Sequence, residues 1–512
     1  METEWDVIVL GSGLGGLSAA LAFATKGKRV LVLEKSISPG GCASSFWKNG
    51  YLFESGATTL VGFEQGLPLD RFTKELGVQF PIIPLERSMV VHLNGSRIER
   101  YQDRTSWIDE SLRVFGGGMR MKFFWKLCFF VSDRLWNLSA RYKWFPFRTF
   151  EDIRKTIFVF RPLDLIVFLF SFVSVRFVLK VLFLHQNKDW NRFLDEQLLI
   201  TNQTTAVDAP FGMAAAGLTY PNLQNYIVPG GMVELANTIL RSLSEKKGEI
   251  LYKQEVVKVR KLTVPKNGSP GSIETNTVWE VVTKNRENNV FRAPILVSNL
   301  PVWNLTELAV DLPRLKQKVG AMEKGIWGAF TMGIVVLVGT ENESLASECL
   351  HHQIHLPEDL PYGGGKSVFV SISHPKDTVR TKDGSYTLSL STHIKDPEVW
   401  KRDKDYPAKK KEIESILISV LEKEFDWFQR EKILFSHSAT PVTWQTWTGR
   451  KFGRVGGIPS SYFFNPFRMV SNRSEDPSLL LTGDTVYPGQ GIPAVVLGGL
   501  NAVEQFYGRK RG

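Results

Sequence analysis

The sequence predicts an α/β protein whose parallel sheet is assembled from segments that lie far apart in the chain. Four apolar residues, Val7 to Leu10, run directly into the turn Gly11-Ser-Gly-Leu-Gly-Gly16. Near the other end of the 512 residues, Leu479-Leu-Leu481 runs into Thr482-Gly-Asp484. Between them, Ala293-Pro-Ile-Leu-Val-Ser-Asn299 contains a third apolar run. Short apolar runs of this kind are typical of strands buried on both faces of a parallel sheet.

The turn after the first run has the glycine spacing of a Rossmann-type dinucleotide-binding unit. Gly11 allows the chain to turn tightly, Gly13 lets the backbone approach a pyrophosphate, and Gly16 lets a helix lie close to the strand. Residues 17–24 are small and apolar, as in a helix whose N-terminal N–H groups face phosphate oxygens. The glycine spacing alone is a weak indication, because structural turns are also rich in glycine.

The next predicted strand ends in an acidic residue where such a unit binds a ribose. Val30-Leu-Val-Leu33 forms the strand, and Glu34 follows it, 23 residues after Gly11. An acidic side chain about 20 residues after the turn accepts hydrogen bonds from ribose hydroxyl groups. This order of elements predicts a bound adenine dinucleotide. The alternative is a structural turn beside a surface glutamate.

The length and the cysteine content indicate how many domains the chain contains and which cellular compartment it occupies. A chain of 512 residues exceeds a usual single domain, so two or three connected domains are expected. The three cysteines, Cys42, Cys128 and Cys349, are too few and too scattered for a disulfide framework. The polar start leads into the first strand without a signal peptide. These features predict a cytoplasmic protein in a reducing compartment.

The net charge of +11 is concentrated in one aromatic region. Residues 120–180 contain twelve Lys or Arg against four Asp or Glu, together with seventeen aromatic residues. Residues 157–184 are too apolar for a groove that follows nucleic-acid phosphates, so no nucleic-acid partner is expected. Charged residues interrupt this stretch and argue against a membrane-spanning helix: Arg161, Asp164, Arg176 and Lys180.

Basic, aromatic and apolar side chains together predict helices that lie in a membrane interface and are attracted to anionic lipid. The predicted location is therefore peripheral, on a membrane surface facing the cytoplasm. The alternative is a buried helical subdomain with a solvated basic face.

The C-terminal segment carries a specific resemblance. Gly483-Asp-Thr-Val-Tyr-Pro-Gly-Gln-Gly-Ile-Pro-Ala-Val-Val-Leu-Gly-Gly499 resembles the phytoene desaturase-like branch of FAD-dependent enzymes with the amine oxidase fold. That branch contains carotenoid desaturases, carotenoid cis–trans isomerases and retinol saturases. The resemblance extends over most of the chain and is strongest at residues 11–59, 226–235, 367–392 and 441–500. It implies FAD as the cofactor.

The resemblance and the element pattern together predict a Rossmann-type FAD-binding domain built from non-contiguous segments. A mixed β-sheet substrate domain and a helical membrane-associating region fill the intervals. The FAD-binding domain is expected at residues 1–105, 226–301 and 441–512. The helical substrate and membrane region is expected at 106–225, and the β-rich substrate domain at 302–440.

The resemblance also implies cofactor contacts at the adenosine and pyrophosphate end. Gly11, Gly13 and Gly16 would bind the pyrophosphate, and Glu34 the adenosine ribose. The backbone of Val256 would meet the adenine. Neighbouring contacts are implied at Leu14, Gly15 and Lys35.

A second set of implied contacts lies along the ribityl chain and the flavin. Gly40, Gly41, Ala43 and Ser44 would line the phosphate and ribityl side. Asp484, after Gly483, would hold ribityl or phosphate oxygens. Gly491 and Ile492 would present backbone N–H groups to the N1/O2 edge of the flavin. Helix-end N–H groups stabilise the negative charge that reduced flavin carries there.

Two departures from the family pattern leave the direction of the reaction open. Many desaturases of this branch carry a basic residue after the Gly-Gly pair, where this chain has Cys42, as on the isomerase and saturase side. Conversely, Pro441-Val-Thr-Trp-Gln-Thr-Trp-Thr-Gly-Arg450 and Gly453-Arg-Val-Gly-Gly457 look like bacterial desaturases of acyclic carotenoids. Cys42 itself is expected to be a small packing residue rather than a redox thiol.

The predicted function is FAD-dependent desaturation of a carotenoid-type polyene in an apolar tunnel reached from the membrane. Hydride would pass to flavin N5, and a proton would be lost. No acid–base triad is visible, and Asp208, Tyr220, Tyr226 and Tyr487 are expected to be structural. Quinone and oxygen both remain open as electron acceptors. The alternatives are a cis–trans isomerase, a retinol-saturase-like reductase, an amine oxidase and a non-enzymatic flavoprotein.

The cluster Cys349-Leu-His-His-Gln-Ile-His355 suggests a metal site only superficially. Its context alternates like a strand, and no HExxH pattern occurs. We expect no metal ion, and we expect His351, His352 and His355 to be exposed on a strand.

Overall fold

The computed structural model describes residues 5–265, 275–284, 289–308, 312–320, 326–338, 349–382, 384–460 and 469–509. Over these residues the chain forms an α/β fold with one parallel sheet and one larger mixed sheet, and this confirms the predicted class. None of the helices within these ranges is both long enough and apolar enough to cross a membrane.

The parallel sheet joins strands from both ends of the chain. Leu10 lies in register with Leu33 on one side and with Ser298 on the other, and Ser298 is in turn in register with Leu481. The first two strands of the chain are buried at every position, as expected for strands covered on both faces. In spatial order the strands are Leu479–Leu481, Ile295–Ser298, Val7–Leu10, Val30–Leu33 and Glu249–Leu251.

Helices from the N- and C-terminal segments pack against each other on one face of the parallel sheet. Ser18 Oγ donates a hydrogen bond to the carbonyl oxygen of Val496 at 2.8 Å. A Cβ atom on Gly499 would lie 2.4 Å from the carbonyl oxygen of Gly15, so the two helices touch through their backbones. The helices whose side chains form this core are Leu14–Thr25, Pro68–Leu76, Val233–Glu245 and Ile492–Arg509.

The other face of the parallel sheet is covered by a small antiparallel sheet and two helices. Trp279 and Trp303 share a buried core with Ile8 and Leu31 of the parallel strands. The antiparallel strands are Glu255–Pro265, Thr275–Lys284 and Val290–Ala293, and the helices are Val302–Leu308 and Pro313–Gly320.

The mixed sheet forms the second layer of the molecule. One face packs on the helix Tyr406–Glu424, whose Ile413 and Leu417 share a core with Phe330 and Val370. The strands, in spatial order, are Ile433–Ala439, Gly328–Leu337, Ser385–Ile394, Ser367–Ile372, His351–His355, Met89–Leu93 and Ser96–Arg100. Two short ribbons pair Ser45–Lys48 with Tyr51–Glu54 and Ile83–Pro84 with Tyr226–Ile227.

The histidines at residues 351, 352 and 355 do lie on a strand, but the expectation that they are exposed is wrong. His351, His352 and His355 are 1%, 0% and 8% exposed. Their strand runs between two neighbours, and their rings are covered by other elements. The His352 ring meets Phe425 edge-to-face at 4.7 Å between centroids, and the His351 ring stacks on Phe369. Among the described residues, no three His, Cys, Asp or Glu side chains come together as metal ligands.

A helical region extends from the mixed sheet. Its inner side has an aromatic core in which Trp107, Trp125, Trp190 and Phe193 contact one another. The helices are Arg104–Phe115, Gly118–Arg141, Phe150–Ile157, Asp164–Phe170, Val175–Val181, Lys188–Asn202 and Phe211–Thr219.

The outer side of this region exposes large apolar side chains. Phe150 and Phe158 are 82% and 81% exposed, and Ile157 and Phe183 are both 64% exposed. The helical region therefore has both a packed interior and an uncovered apolar face, which we call the apolar face. It comprises Met119, Phe123, Phe150, Ile157, Phe158, Phe160, Leu163, Leu165, Leu169, Phe177, Val181 and Phe183.

Candidate cofactor and substrate site

A cavity of about 1450 Å³ lies at the carboxyl ends of the parallel strands and extends to the mixed sheet. Ligands bind at this edge in open α/β sheets. The volume exceeds the roughly 300–1,000 Å³ of ordinary ligand pockets, so a cofactor and a substrate can share it. Fifteen of the sixteen predicted cofactor positions line the cavity: Gly11, Gly13, Leu14, Gly15, Glu34, Lys35, Gly40, Gly41, Ala43, Ser44, Val256, Gly483, Asp484, Gly491 and Ile492.

The glycine turn packs closely against the side chain of Asn299, which directly follows the strand Ile295–Ser298. A Cβ atom on Gly13 would lie 2.5 Å from Asn299 Nδ2, and one on Gly15 would lie 2.9 Å from Asn299 Oδ1. Gly16, the sixteenth predicted position, faces away from the cavity. Its Cβ atom would lie 2.6 Å from the carbonyl oxygen of Gly11, so glycine there serves helix–strand packing.

Glu34 is held at the mouth of the cavity by the turn itself. Its Oε2 accepts hydrogen bonds from Ser12 N at 2.8 Å and from Ser12 Oγ at 2.6 Å, and its Oε1 accepts one from Ser36 N at 2.7 Å. A carboxylate has about four acceptor sites, so one remains for a ribose hydroxyl group. Lys35 Nζ forms an ion pair with Oε1 of Glu255, at 2.8 Å, and Glu255 directly precedes Val256.

Two glycine turns contact each other through their backbones: Gly40 N donates a hydrogen bond to the carbonyl oxygen of Ser12 at 3.0 Å. Gly40 and Gly41 both have positive φ angles, +100° and +62°. A Cβ atom on Gly41 would lie only 3.6 Å from the Cα atom of Gly13. Ser44 Oγ donates to the carbonyl oxygen of Pro39 at 2.6 Å and fixes the second turn.

The C-terminal segment presents an open backbone edge to the cavity. Gly489 and Gly491 have φ angles of +120° and +95°, and no heavy atom lies within 4 Å of a Cβ built on either. The helix Ile492–Arg509 begins immediately afterwards and directs the positive end of its dipole at this space. Gly483 is enclosed rather than open, because a Cβ atom there would lie 3.0 Å from Asn299 Oδ1.

Arg450 is a site residue that the sequence did not identify as one. It follows the helix Pro441–Thr448, is 7% exposed, and lines the cavity. Its Nη2 atom is 2.9 Å from Asp484 Oδ2 and donates to the carbonyl oxygen of Gly456 at 2.8 Å. Its Nε donates to the carbonyl oxygen of Arg454 at 2.5 Å. The sequence motif that contains Arg450 could be recognised, but its ion pair with Asp484, 34 residues further along the chain, could not be predicted from it.

Cys42 lies beside the Arg450 guanidinium. Burial raises the pKa of the Cys42 thiol above its ordinary value, although the nearby Arg450 charge partly offsets this effect. The thiol is therefore protonated at neutral pH, which agrees with the expected packing role rather than with a reactive thiolate.

The mixed sheet forms the floor of the other half of the cavity. One row of side chains crosses five neighbouring strands in register and lines the cavity: Ala439, Thr331, Ser391, Phe369 and Gln353. Residues of the helical region form another part of the wall. They include the apolar Leu135, Trp136, Ile200, Met213 and Ala216 and the polar Ser139, Thr201, Asn202, Gln203 and Tyr220.

The four polar side chains that were expected to be structural divide into two pairs. Tyr220 and Tyr487 line the cavity, whereas Asp208 and Tyr226 do not. Burial raises the pKa of Tyr220 to about 12 and raises that of Tyr487 as well, so both phenols are neutral at physiological pH.

Each acidic residue in the described cavity wall is engaged by a donor. Glu34 binds Ser12 and Ser36, Glu255 pairs with Lys35, Glu307 with Lys451, and Asp484 with Arg450. Glu255, Glu307 and Asp484 thus each pair with a cation of the chain, whereas Glu34 accepts only from neutral groups and keeps one acceptor site.

The chain belongs to the flavin containing amine oxidoreductase family, which matches residues 14–505. It is an FAD-dependent oxidoreductase of the branch that contains carotenoid desaturases, carotenoid isomerases and retinol saturases. Among solved structures, cyclohexylamine oxidase from Brevibacterium oxydans is similar, with a TM-score of 0.59 at 14% identity, over 99% of this chain and all of that one. That likeness concerns the fold.

Three relatives with known activities are similar over nearly the whole chain. A chloroplastic prolycopene isomerase of Daucus carota is 25% identical, over 97% of this chain and 79% of its own length. An all-trans-retinol 13,14-reductase of Danio rerio is 24% identical, over 94% and 82%. A neurosporene-forming phytoene desaturase of Rhodobacter capsulatus is 23% identical, over 96% and 91%. They differ in activity, so similarity alone does not choose among isomerisation, reduction and desaturation.

The described residues fit FAD as this family's cofactor. The Gly13 and Gly41 turns approach each other closely at the cavity wall, and the backbone edge at Gly491 is open. Asn304 also lines the cavity; its Oδ1 is buried and accepts no hydrogen bond from any described residue. Such an orphaned acceptor suits a ligand that donates hydrogen bonds.

Proposed function

We propose that the protein desaturates a polyene lipid, with FAD as the hydride acceptor and a membrane surface as the source of substrate. The observation that carries this proposal is the continuity of the cavity. One space extends from the glycine turn at Gly13 to the apolar wall at Trp136 and Met213. Cofactor and a long apolar substrate would therefore lie in direct contact.

Bound FAD supplies the hydride-accepting N5 atom. The chain's own residues position it and exclude water. Gly491 and Ile492 offer backbone N–H groups at a helix N-terminus, where negative charge is stabilised. Arg450 holds the carboxylate of Asp484 in one orientation. The apolar wall keeps water from the reacting carbon–carbon bond.

Delivery from a membrane is supported by the place of the apolar face. Trp136 and Ser139 line the cavity near the end of the helix Gly118–Arg141. Arg141, which ends this helix, donates to the carbonyl oxygen of Val159 and to Asp164 Oδ1, each at 2.8 Å. The exposed apolar residues around 157–165 are thus anchored beside this end of the cavity. We propose that they insert into the lipid interface, with nearby basic residues facing anionic headgroups.

A redox-neutral isomerase or a polyene reductase is the second candidate. Cys42 occupies a position where the desaturases of this branch often carry a basic residue. The relatives named above also include an isomerase and a reductase at slightly higher identity than the desaturase. Amine oxidation is less well supported, because every acidic residue in the described cavity wall already has a donor partner.

Co-expression in a colourless bacterial host with pathways that supply acyclic polyene hydrocarbons and their hydroxylated derivatives tests the proposal. Products are separated by chromatography and identified by absorption and mass. Loss of two hydrogens with a red-shifted spectrum is the expected result. Unchanged mass with altered retention would establish isomerisation instead, and a gain of two hydrogens would establish reduction. The Gly13→Val variant is the control, because its side chain would collide with Asn299 and displace the glycine turn. Unaltered polyenes beside an FAD-loaded protein would reject the whole assignment.

A further inference from the structure

Three polar side chains form a patch on the cavity floor. Thr331 and Ser391 are register partners on the neighbouring strands Gly328–Leu337 and Ser385–Ile394. His393 follows two residues after Ser391 and so lies on the same face of the strand, opposite Ala329. All three side chains line the cavity. We call Thr331, Ser391 and His393 the polar patch.

No described residue forms a hydrogen bond with any side chain of the polar patch. Among the described residues, the His393 ring packs edge-to-face on Trp327, at 5.8 Å between centroids. Other polar groups on the same floor behave differently. Ser367 Oγ donates to Glu196 Oε2 at 2.6 Å, and Gln353 Nε2 donates to the carbonyl oxygen of Glu196 at 3.1 Å. Those two are satisfied within the protein, whereas the polar patch faces the ligand space.

The polar patch is electrically neutral. Burial lowers the pKa of His393 to about 4, so its imidazole is uncharged near pH 7, with one nitrogen that donates and one that accepts. The two hydroxyl groups also donate and accept. A patch without charge does not favour a carboxylate or a phosphate ester. A hydrocarbon would leave these groups unpartnered in an enclosed space, which disfavours its binding.

We propose that the polar patch binds a hydroxyl group of the substrate, so that the substrate is a polyene alcohol rather than a polyene hydrocarbon. A hydroxyl group both donates and accepts, and it therefore matches Thr331, Ser391 and His393 better than a carbonyl group, which only accepts. This inference rests on the proposed function, since it takes the substrate to be a polyene. It adds the class of substituent and the side chains that recognise it.

Equilibrium binding to the FAD-loaded protein tests the polar patch. The probes are all-trans-retinol, its methyl ether and the corresponding hydrocarbon without oxygen. Quenching of tryptophan fluorescence reports binding, because Trp136, Trp444 and Trp447 line the cavity. We expect the alcohol to bind about 10-fold more tightly than the hydrocarbon, with the ether in between because it can accept but not donate.

Variants assign the preference to the polar patch. Ser391→Ala and Thr331→Val should each weaken binding of the alcohol by about 3- to 10-fold and leave hydrocarbon binding unchanged or tighter. Ser389→Ala is the matched control, because Ser389 lies on the same face of the same strand but outside the cavity wall. It should leave all three affinities unchanged. Flavin absorption shows that each variant is folded and loaded.

Two results would overturn the inference, and they are distinguishable. Equal affinities for alcohol and hydrocarbon, insensitive to Ser391→Ala and Thr331→Val, would reject the polar patch and leave the proposed function standing. Absence of binding by every probe would reject the inference together with the polyene substrate.

Discussion

The guanidinium of Arg450 and the carboxylate of Asp484 lie 2.9 Å apart in the wall of the cavity. Both belong to motifs of the C-terminal segment, but 34 residues separate them. The pair joins the turn after the helix Pro441–Thr448 to the turn that follows the edge strand Leu479–Leu481. It therefore fixes the orientation of a carboxylate that is expected to face the cofactor.

Replacing Arg450 should weaken FAD binding. In Arg450→Met, Asp484 loses its ion-pair partner, and the carbonyl oxygens of Arg454 and Gly456 lose their donor. We expect about a 100-fold loss of FAD affinity and a loss of about 3 kcal/mol in the free energy of unfolding. Fluorescence titration of apoprotein with FAD and chemical denaturation measure the two effects. Arg430→Met is the control, because Arg430 and Glu422 form a pair on the surface. Wild-type FAD affinity in Arg450→Met would contradict this role.

The contact between the terminal helices predicts a stability defect in Gly499→Ala. The added methyl group would lie 2.4 Å from the carbonyl oxygen of Gly15 and 2.9 Å from the backbone N of Ala19. Because these are backbone atoms, the helices must move apart, and we expect a loss of about 1–3 kcal/mol in the free energy of unfolding. Gly320→Ala is the comparison, since no heavy atom lies within 4 Å of a Cβ there. Equal midpoints of thermal unfolding for the two variants would show that the helices do not touch in this way.

The apolar face predicts lipid binding that depends on particular side chains. Ile157→Ser combined with Phe158→Ser removes two residues that are 64% and 81% exposed. We expect about a 10-fold drop in partitioning onto vesicles that contain anionic lipid, measured by co-sedimentation. Leu434→Ser is the control, because Leu434 is 52% exposed on an edge strand of the mixed sheet. If the double variant and the control partition alike, the membrane surface lies elsewhere or is absent.

Buried His355 predicts a pH dependence of stability. Burial lowers its pKa to about 3, against about 6.5 in an unfolded chain. Below pH 6.5 the unfolded state binds a proton that the folded state does not, so stability falls as the pH decreases toward 3. One such group lowers the free energy of unfolding by about 2 kcal/mol between pH 7 and pH 5.

His355→Phe should remove that share of the pH dependence. Both ring nitrogens of His355 are buried and bond to no described residue, so no hydrogen bond is lost. Denaturation series at pH 5, 6 and 7 give the slope, and we expect it to decrease by about one proton. Leu360→Met, a buried change without a titrating group, should alter stability but not slope. A slope equal to that of the wild type in His355→Phe would mean that His355 is protonated in the folded state.

Features encoded in short stretches could be predicted from the sequence. Val7–Leu10 with its glycine turn, and Leu479–Leu481 with Asp484, contain strand and turn signals within a few residues. The structure brings both to the parallel sheet. Arg450 and Asn299 were not predicted as site residues, because their partners lie in other segments and no local pattern indicates the pairing. In the sequence, Asn299 could be recognised only as the last residue of an apolar run.

Burial on a strand was the least predictable property. The alternation around His351 and His355 correctly indicated a strand, but exposure depends on which strands and helices cover it. The polar patch was missed for the same reason. Thr331 and Ser391 are 60 residues apart and face one ligand only after the strands pair in register.

The edge strand Leu479–Leu481 imposes an order on biosynthesis. At a translation rate of about 5–20 residues per second, tens of seconds pass between the emergence of the first strand and that of the last. In the later part of this interval, after Ile295–Ser298 has emerged, the outer edge of that strand has unpaired backbone groups, which favour association with other chains. Asp484 emerges later still, so the complete predicted flavin site exists only on a nearly finished polypeptide. A premature stop codon before Leu479 would therefore yield an aggregating product that cannot be rescued by added flavin.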